Sequence, residues 1–324
     1  MAEPSKQSSD RVKLTYKSKV GDRVEEIELP FKALILADFT LDERSEVFDQ
    51  QKPILLDKNT IGALFQQLKP VLNLNVEDKL SEDEGDLLIQ ISIDSIDAFS
   101  PVNVMKTVPS LGALIRFNDA ISRIADGTEA AFLEGDINLI QSVLDNESVT
   151  LEEIKANTES FGWLISSIEQ RISKQLDAIM HHPDFQRMES AWRSVQFLLE
   201  RTDFNENIQL AFINLSKQAL IDDFDDVPEV FQSKLYQYVY SDEYGQFGGR
   251  PYGVIIGDYE IGPAAQDIKL LQRLAAVSAV AHAPFIAAAS AEFFDIESYS
   301  KFSKLRDLSA IFEQPKYAKW KAFR

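Results

Sequence analysis

Cysteine is absent from this chain of 324 residues, which excludes disulfides, thiolate metal sites and cysteine nucleophiles. Histidine is scarce, with His181, His182 and His282 as the three. Long apolar runs are missing too. The best, Leu274 to Ala289, falls short of the roughly 20 residues that span a bilayer and is broken by His282 and Pro284, so it reads as a soluble core segment. Positive charge is in deficit, with 33 Lys and Arg against 52 Asp and Glu and a formal net charge of −19. Such a surface repels phosphate, which argues against nucleic acid and anionic membrane as partners and suits a basic protein surface. Residues 1–10 are polar and carry no apolar core, so they read as a disordered tail and not as a secretory signal, in keeping with a cytoplasmic protein.

Apolar residues still make up 45% of the chain, enough for sizeable cores, and the length suggests about two domains. Val12 to Tyr16 and Val24 to Leu29 alternate across Gly21-Asp22, predicting a hairpin. Phe31 to Ala37 is a more continuous apolar strand behind Pro30. Asn59 can cap a helix carrying Ile61, Leu64, Phe65 and Leu68, ended by Pro70. Strands are expected at Val71 to Val76 and Leu87 to Ile93, a helical turn at Pro101, and a helix from Pro109 to Ala125. Residues 127–160 are acidic and read as a linker with short helices. The texture then changes. Ile165, Ile168, Ile172, Leu176 and Ile179 form one helical stripe, and Pro183 opens a second helix with Phe185, Met188, Trp192, Val195 and Leu199. Strand-like runs at Ile208 to Leu215, Tyr252 to Ile256 and Phe285 to Ala289 are separated by helical segments at Ser216 to Phe224, Pro228 to Tyr240 and Gln266 to Ala281. This alternation predicts an α/β back domain (161–324) with parallel pairing, behind an α+β front domain (11–126).

No constellation points to catalysis, a cofactor or a metal. His181 and His182 project about 100° apart on a helix, which makes joint chelation awkward, and a helix-end role beside Asp184 is the simpler reading. His282 reads as a packed histidine at a helix end. The segment Tyr244 to Gly253 is glycine-rich, yet it lacks Gly-Lys-Ser/Thr and precedes a strand, whereas phosphate loops run from strand into helix. Gly245, Gly248, Gly249 and Gly253 are therefore assigned to a structural turn, in which Tyr244, Phe247 and Tyr252 pack together. Trp192, Asp258 and Trp320 complete the candidate packing or interface residues.

Several longer stretches resemble a known family. Gln175-Leu-Asp-Ala-Ile-Met-His-His-Pro-Asp-Phe185, Glu189-Ser-Ala-Trp-Arg193, Tyr240 to Asp258, Ala281-His-Ala-Pro-Phe-Ile-Ala-Ala-Ala289 and Tyr317 to Arg324 resemble the N-terminal part of the large sheath subunit of type VI secretion (TssC, or VipB). Glu28-Leu-Pro-Phe31, Leu36-Ala-Asp-Phe39, Asp97-Ala-Phe-Ser-Pro101 and Pro109 to Arg116 resemble the small subunit (TssB, or VipA). The two are normally separate chains and here are continuous. The resemblance implies a contractile tail-sheath-like fold with no chemistry of its own. It also implies assembly with sheath subunits of the same or separate chains around an Hcp inner tube, contraction that propels the tube, and dealings with the baseplate and the ClpV ATPase. A non-polymerising protein that docks at the sheath end or regulates assembly is the alternative.

Overall fold

The computed structural model describes residues 15–20, 23–42, 48, 51–80, 85–125, 161–244, 246 and 248–323. The expected tail, the acidic linker, Gly245 and Phe247 lie outside them. Helices and sheets are mixed, and the chain falls into two compact units. One comprises Met1–Ala37, Glu46–Asp57 and Arg201–Arg324; the other comprises Asp38–Ser45 and Lys58–Glu200. Each unit draws on both of the stretches expected to be domains, 11–126 and 161–324, so the boundary read from the sequence is not the boundary of the folded units. In the first unit the strands Phe31–Ala37 and Ile54–Leu56 come from the front stretch, and in the second unit the helices over 161–200 come from the back stretch.

In the first unit, β1 (Thr15–Val20) and β2 (Arg23–Glu28) form an antiparallel hairpin. β3 (Phe31–Ala37) does not join them. It lies in a five-stranded sheet with β4 (Ile54–Leu56), β7 (Ile208–Asn214), β8 (Tyr252–Ile261) and β9 (Phe285–Ala289), in the order β4-β7-β3-β8-β9. β3 runs parallel to β7, from Phe31 opposite Ile208 to Ala37 opposite Asn214, and parallel to β8 on its other side. Ala33, Leu34, Ile35, Leu36 and Ala37 are all buried, as an unbroken apolar run must be. Leu34 and Leu36 share a core with Ala211, Ile213 and Ile255 and with Leu270, Leu274 and Val277. The last three lie on the long helix Ala265–Ala281, which connects the parallel strands β8 and β9.

The second unit pairs β5 (Val71–Glu77) with β6 (Asp86–Ser92) in an antiparallel hairpin. Leu72, Leu74 and Val76 point inward while the residues between them face solvent, the period-two pattern of a half-buried strand. Among the described residues five α-helices accompany it: α1 (Ile61–Leu68), α2 (Pro101–Thr107), α3 (Pro109–Ala125), α4 (Phe161–Met180) and α5 (Pro183–Arg201). The N-cap position of α1 is Thr60, one residue after Asn59 and without a side-chain capping bond, and the helix ends at Lys69 in the left-handed region, just before Pro70. Gln175 of α4 is fully buried, which is tolerable because it is satisfied. Its Oε1 accepts from the Lys79 amide at 2.6 Å and its Nε2 donates to the Glu77 carbonyl at 3.2 Å, pinning the end of β5.

The sequence reading departs from the structure in three more places. β4 is a strand that the pattern does not reveal, since it has only three residues. β8 runs on through Gly257 to Ile261. The single helix expected over Pro228 to Tyr240 is instead a 3-10 turn (Val230–Gln232), one α-turn (Lys234–Tyr236) and a π-turn (Gln237–Ser241), followed by Asp242–Tyr244. Buried Ser233 restarts the helix, since its Oγ donates to the Val230 carbonyl and accepts from the Tyr236 amide. The Asp223 carboxylate takes the Lys234 and Leu235 amides at 2.7 and 3.2 Å. Amides committed to side chains mark a fresh N-terminus, not a continuing helix. The next helix is α6 (Lys217–Asp225) by position, capped by Ser216, and the β8–β9 connector is α7. Two short helices, α8 (Leu308–Phe312) and α9 (Ala318–Phe323), close the described chain.

Candidate functional site: the slot that holds the third strand

The glycine-rich turn leads straight into the β7–β8 slot. Gly248 has φ +85°, a conformation that favours glycine. At Gly249 the constraint is space: a Cβ there would lie 2.7 Å from the Glu243 carbonyl carbon and closer still to its oxygen, both rigid backbone. At Gly253 a Cβ would sit 2.7 Å from the ring of Phe31, the first residue of β3. So Gly249 presses on the helical run ending at Tyr244, and Gly253 makes room for the incoming strand.

Glu243 organises the turn. Its Oε1 pairs with the ammonium of Lys32 on β3, and its Oε2 accepts from the Arg250 amide at 2.8 Å. Lys32 is only 7% exposed, and its Nζ lies 4.2 Å from the centre of the Tyr252 ring. A buried lysine needs such partners, because burying an unpaired charge costs several kcal/mol. Sequence reasoning misses both Lys32 and Glu243. The available signal is a lone lysine inside an otherwise apolar strand.

Tyr252 is buried, and its hydroxyl has no hydrogen-bond partner among the described residues. Burial, then the charges of Glu243 and Asp242, push its pKa well up, so it stays neutral. An unpartnered buried hydroxyl is a liability, whereas the ring face serves Lys32. Tyr252→Phe should therefore match the parent or gain up to about 1 kcal/mol, read as an unchanged or raised melting temperature. A marked drop would show that the hydroxyl is used.

The other candidates are dispersed. Trp192 is fully buried in the second unit, stacked on Phe65 with ring centres 3.8 Å apart, and its Nε1 donates to the Phe39 carbonyl at 3.0 Å. Tyr244 is partly exposed, stacks on Tyr240 and donates to the Ala281 carbonyl at 2.8 Å. Trp320 meets Phe293 edge-on at 4.9 Å. Asp258 stands on β8 with an exposed surface, yet partial desolvation raises its carboxyl pKa. An acid whose folded pKa exceeds its unfolded pKa binds the proton more tightly when folded, so its contribution to stability declines as pH rises past the ordinary Asp value. Asp258→Asn should be more stable than the parent at pH 7 and no different near pH 3, as thermal melts at the two pH values would show.

The histidines do not converge. His181 Nδ1 lies 2.8 Å from the Asp177 carbonyl, His182 Nδ1 accepts from the Asp184 amide at 3.2 Å, and His282 ends α7 in the left-handed region. Among the described residues, no group of three or more His, Asp or Glu side chains is placed to hold a metal ion, and no helix is long and apolar enough to cross a membrane.

Comparison with known proteins falls into two stretches. Residues 163–324 match the family model described as VipB, EvpB/VC_A0108, tail sheath N-terminal domain. Residues 4–158 match the one described as type VI secretion system, VipA, VC_A0107 or Hcp2. The type VI secretion system sheath protein TssC1 of Pseudomonas aeruginosa is 36% identical over 188 residues, covering 57% of this chain and 37% of TssC1. The sheath protein TssB1 of the same organism is 27% identical over 117 residues, covering 35% of this chain and 67% of TssB1. The chain thus spans little more than a third of the length of TssC1.

Proposed function

Because the chain belongs to the type VI secretion tail-sheath family, with a VipA-like stretch followed by a VipB-like one, we propose that it is a structural component of the contractile sheath. In this reading it assembles in the cytoplasm with like subunits around an Hcp inner tube and contracts to propel it. The observation that carries the reading is β3: a strand from the small-subunit-like stretch fills the centre of a sheet whose long strands otherwise come from the large-subunit-like stretch. Two subunits that share a sheet in this way behave as one building block, so their fusion into one chain keeps a heterodimer's contacts. Contraction then draws on changed contacts between packed blocks, not on bond chemistry. The family is a structural one, and that supports a role without catalysis. The baseplate and the ClpV ATPase are the further partners this reading expects.

Purified full-length protein, alone and with Hcp, is the test, by sedimentation and negative-stain electron microscopy. Pelletable tubes, lengthened by Hcp, are expected. Particles that form no tubes but bind the ends of sheaths built by other subunits would replace the polymerising role with the sheath-end alternative. Particles that do neither would overturn the sheath reading.

A further inference from the structure

The sequence of β3, Phe-Lys-Ala-Leu-Ile-Leu-Ala, carries one charge, at Lys32. The rest of the strand specifies its seat poorly. A slip of two residues keeps every side chain on its own face and exchanges one aliphatic group for another. Lys32 breaks that degeneracy. A two-residue slip moves its Cα by about 7 Å, which takes the ammonium off both Glu243 and the Tyr252 ring. The slot is shaped for this end of the strand. The β3–β8 register shifts between Lys32 and Ala33, where Lys32 faces Tyr252 and Ala33 faces Val254, so Gly253 is the extra residue and Phe31 sits over it. Glu243 is held for the task, since its second oxygen is fixed by the Arg250 amide. Buried ion pairs add little net stability over apolar replacements, but they strongly penalise arrangements that leave one charge alone.

We propose that Lys32 and Glu243 form a selection lock: the slot between β7 and β8 accepts a parallel small-subunit-type strand only when a cationic second residue arrives opposite Glu243. The inference rests on the reading of the two stretches as fused small and large subunits. The strand comes from the chain itself or from another chain of the same type, and the lock reads the charge and the register in either case.

The test uses Lys32→Glu and Glu243→Lys, singly and together, in the full chain. Each single variant should lose at least half of its soluble folded protein and melt well below the parent. The double variant should recover at least half of the lost melting temperature, though not all of it, because the Tyr252 face and the Arg250 amide favour the original arrangement. A second measurement adds a protease site within 127–160. Cut parent and cut double variant are unfolded together, refolded and examined by native mass spectrometry. Charge-matched pairs of fragments should exceed mismatched pairs at least tenfold. Equal assortment, or a double variant no better than the worse single one, would overturn the lock. Should the cut parent fail to re-pair, the uncut variants decide. Random assortment by a chain that forms tubes refutes the lock alone, whereas selective assortment without tubes or sheath binding refutes the sheath reading alone.

Discussion

Gly249→Val should abolish most of the soluble protein, and what survives should melt about 6–12 °C below the parent, at the 2–4 °C per kcal/mol typical of units this size. The added carbon would overlap the Glu243 carbonyl, and neither partner can swing away, because both are backbone. Relief requires the turn to leave the helical run ending at Tyr244, which drags Glu243 off Lys32. Overpacking and backbone strain together cost about 3 kcal/mol or more, against a typical domain stability of about 5–15 kcal/mol. Gly248→Asn is the control. Its φ is positive, a region asparagine tolerates, and nothing lies within 4 Å of the added carbon, so a small loss is expected. Scanning fluorimetry on both variants separates the mechanisms. Equal, small losses would mean that the contact at Gly249 does not constrain the turn.

Trp192→Ala should produce a comparable loss in the other unit. The indole is fully buried, stacks on Phe65 and lies 5.3 Å from the ring of Phe39. Truncation of a buried Trp costs about 3–5 kcal/mol, and the Phe39 carbonyl loses its donor. Trp192→Phe keeps an apolar ring but not the N–H, so a loss of about 1–2 kcal/mol is expected. Urea unfolding followed by circular dichroism should rank parent, Phe and Ala in that order. If Phe and Ala lose equally, the hydrogen bond and not the packing accounts for most of what the indole contributes.

Much of the local structure is legible in the sequence. Phe31–Ala37, Ile61–Leu68, Pro109–Ala125 and Phe285–Ala289 fall where apolar periodicity and proline place them. Pairing is not legible in the same way, because a strand's own pattern records how many of its faces are buried and not which strand buries them. The two-sided burial of Ala33 to Ala37 is the mark of a central parallel strand, but nothing near it names Ile208 or Tyr252 as neighbours. Glycine spacing exposes the turn around Gly248 and Gly249. It says nothing of Glu243, whose role depends on a lysine more than 200 residues away. The break at Ser233 is hidden for a related reason, since it depends on Asp223 reaching across from the preceding helix.

The central place of β3 also sets a timetable for the nascent chain. β3 leaves the ribosome about 180 residues before β7 and more than 200 before β8, and at typical translation speeds of about 5–20 residues per second that is a wait of roughly 10–40 s. Throughout that time Ala-Leu-Ile-Leu-Ala has neither flanking strand, and such segments aggregate when both edges are open. Loop closure over so long a span is slow even once β7 has emerged. The yield of folded protein therefore depends on what shelters this strand during synthesis as well as on the stability of the finished fold, and for the parent chain it should respond to chaperone supply and to translation rate.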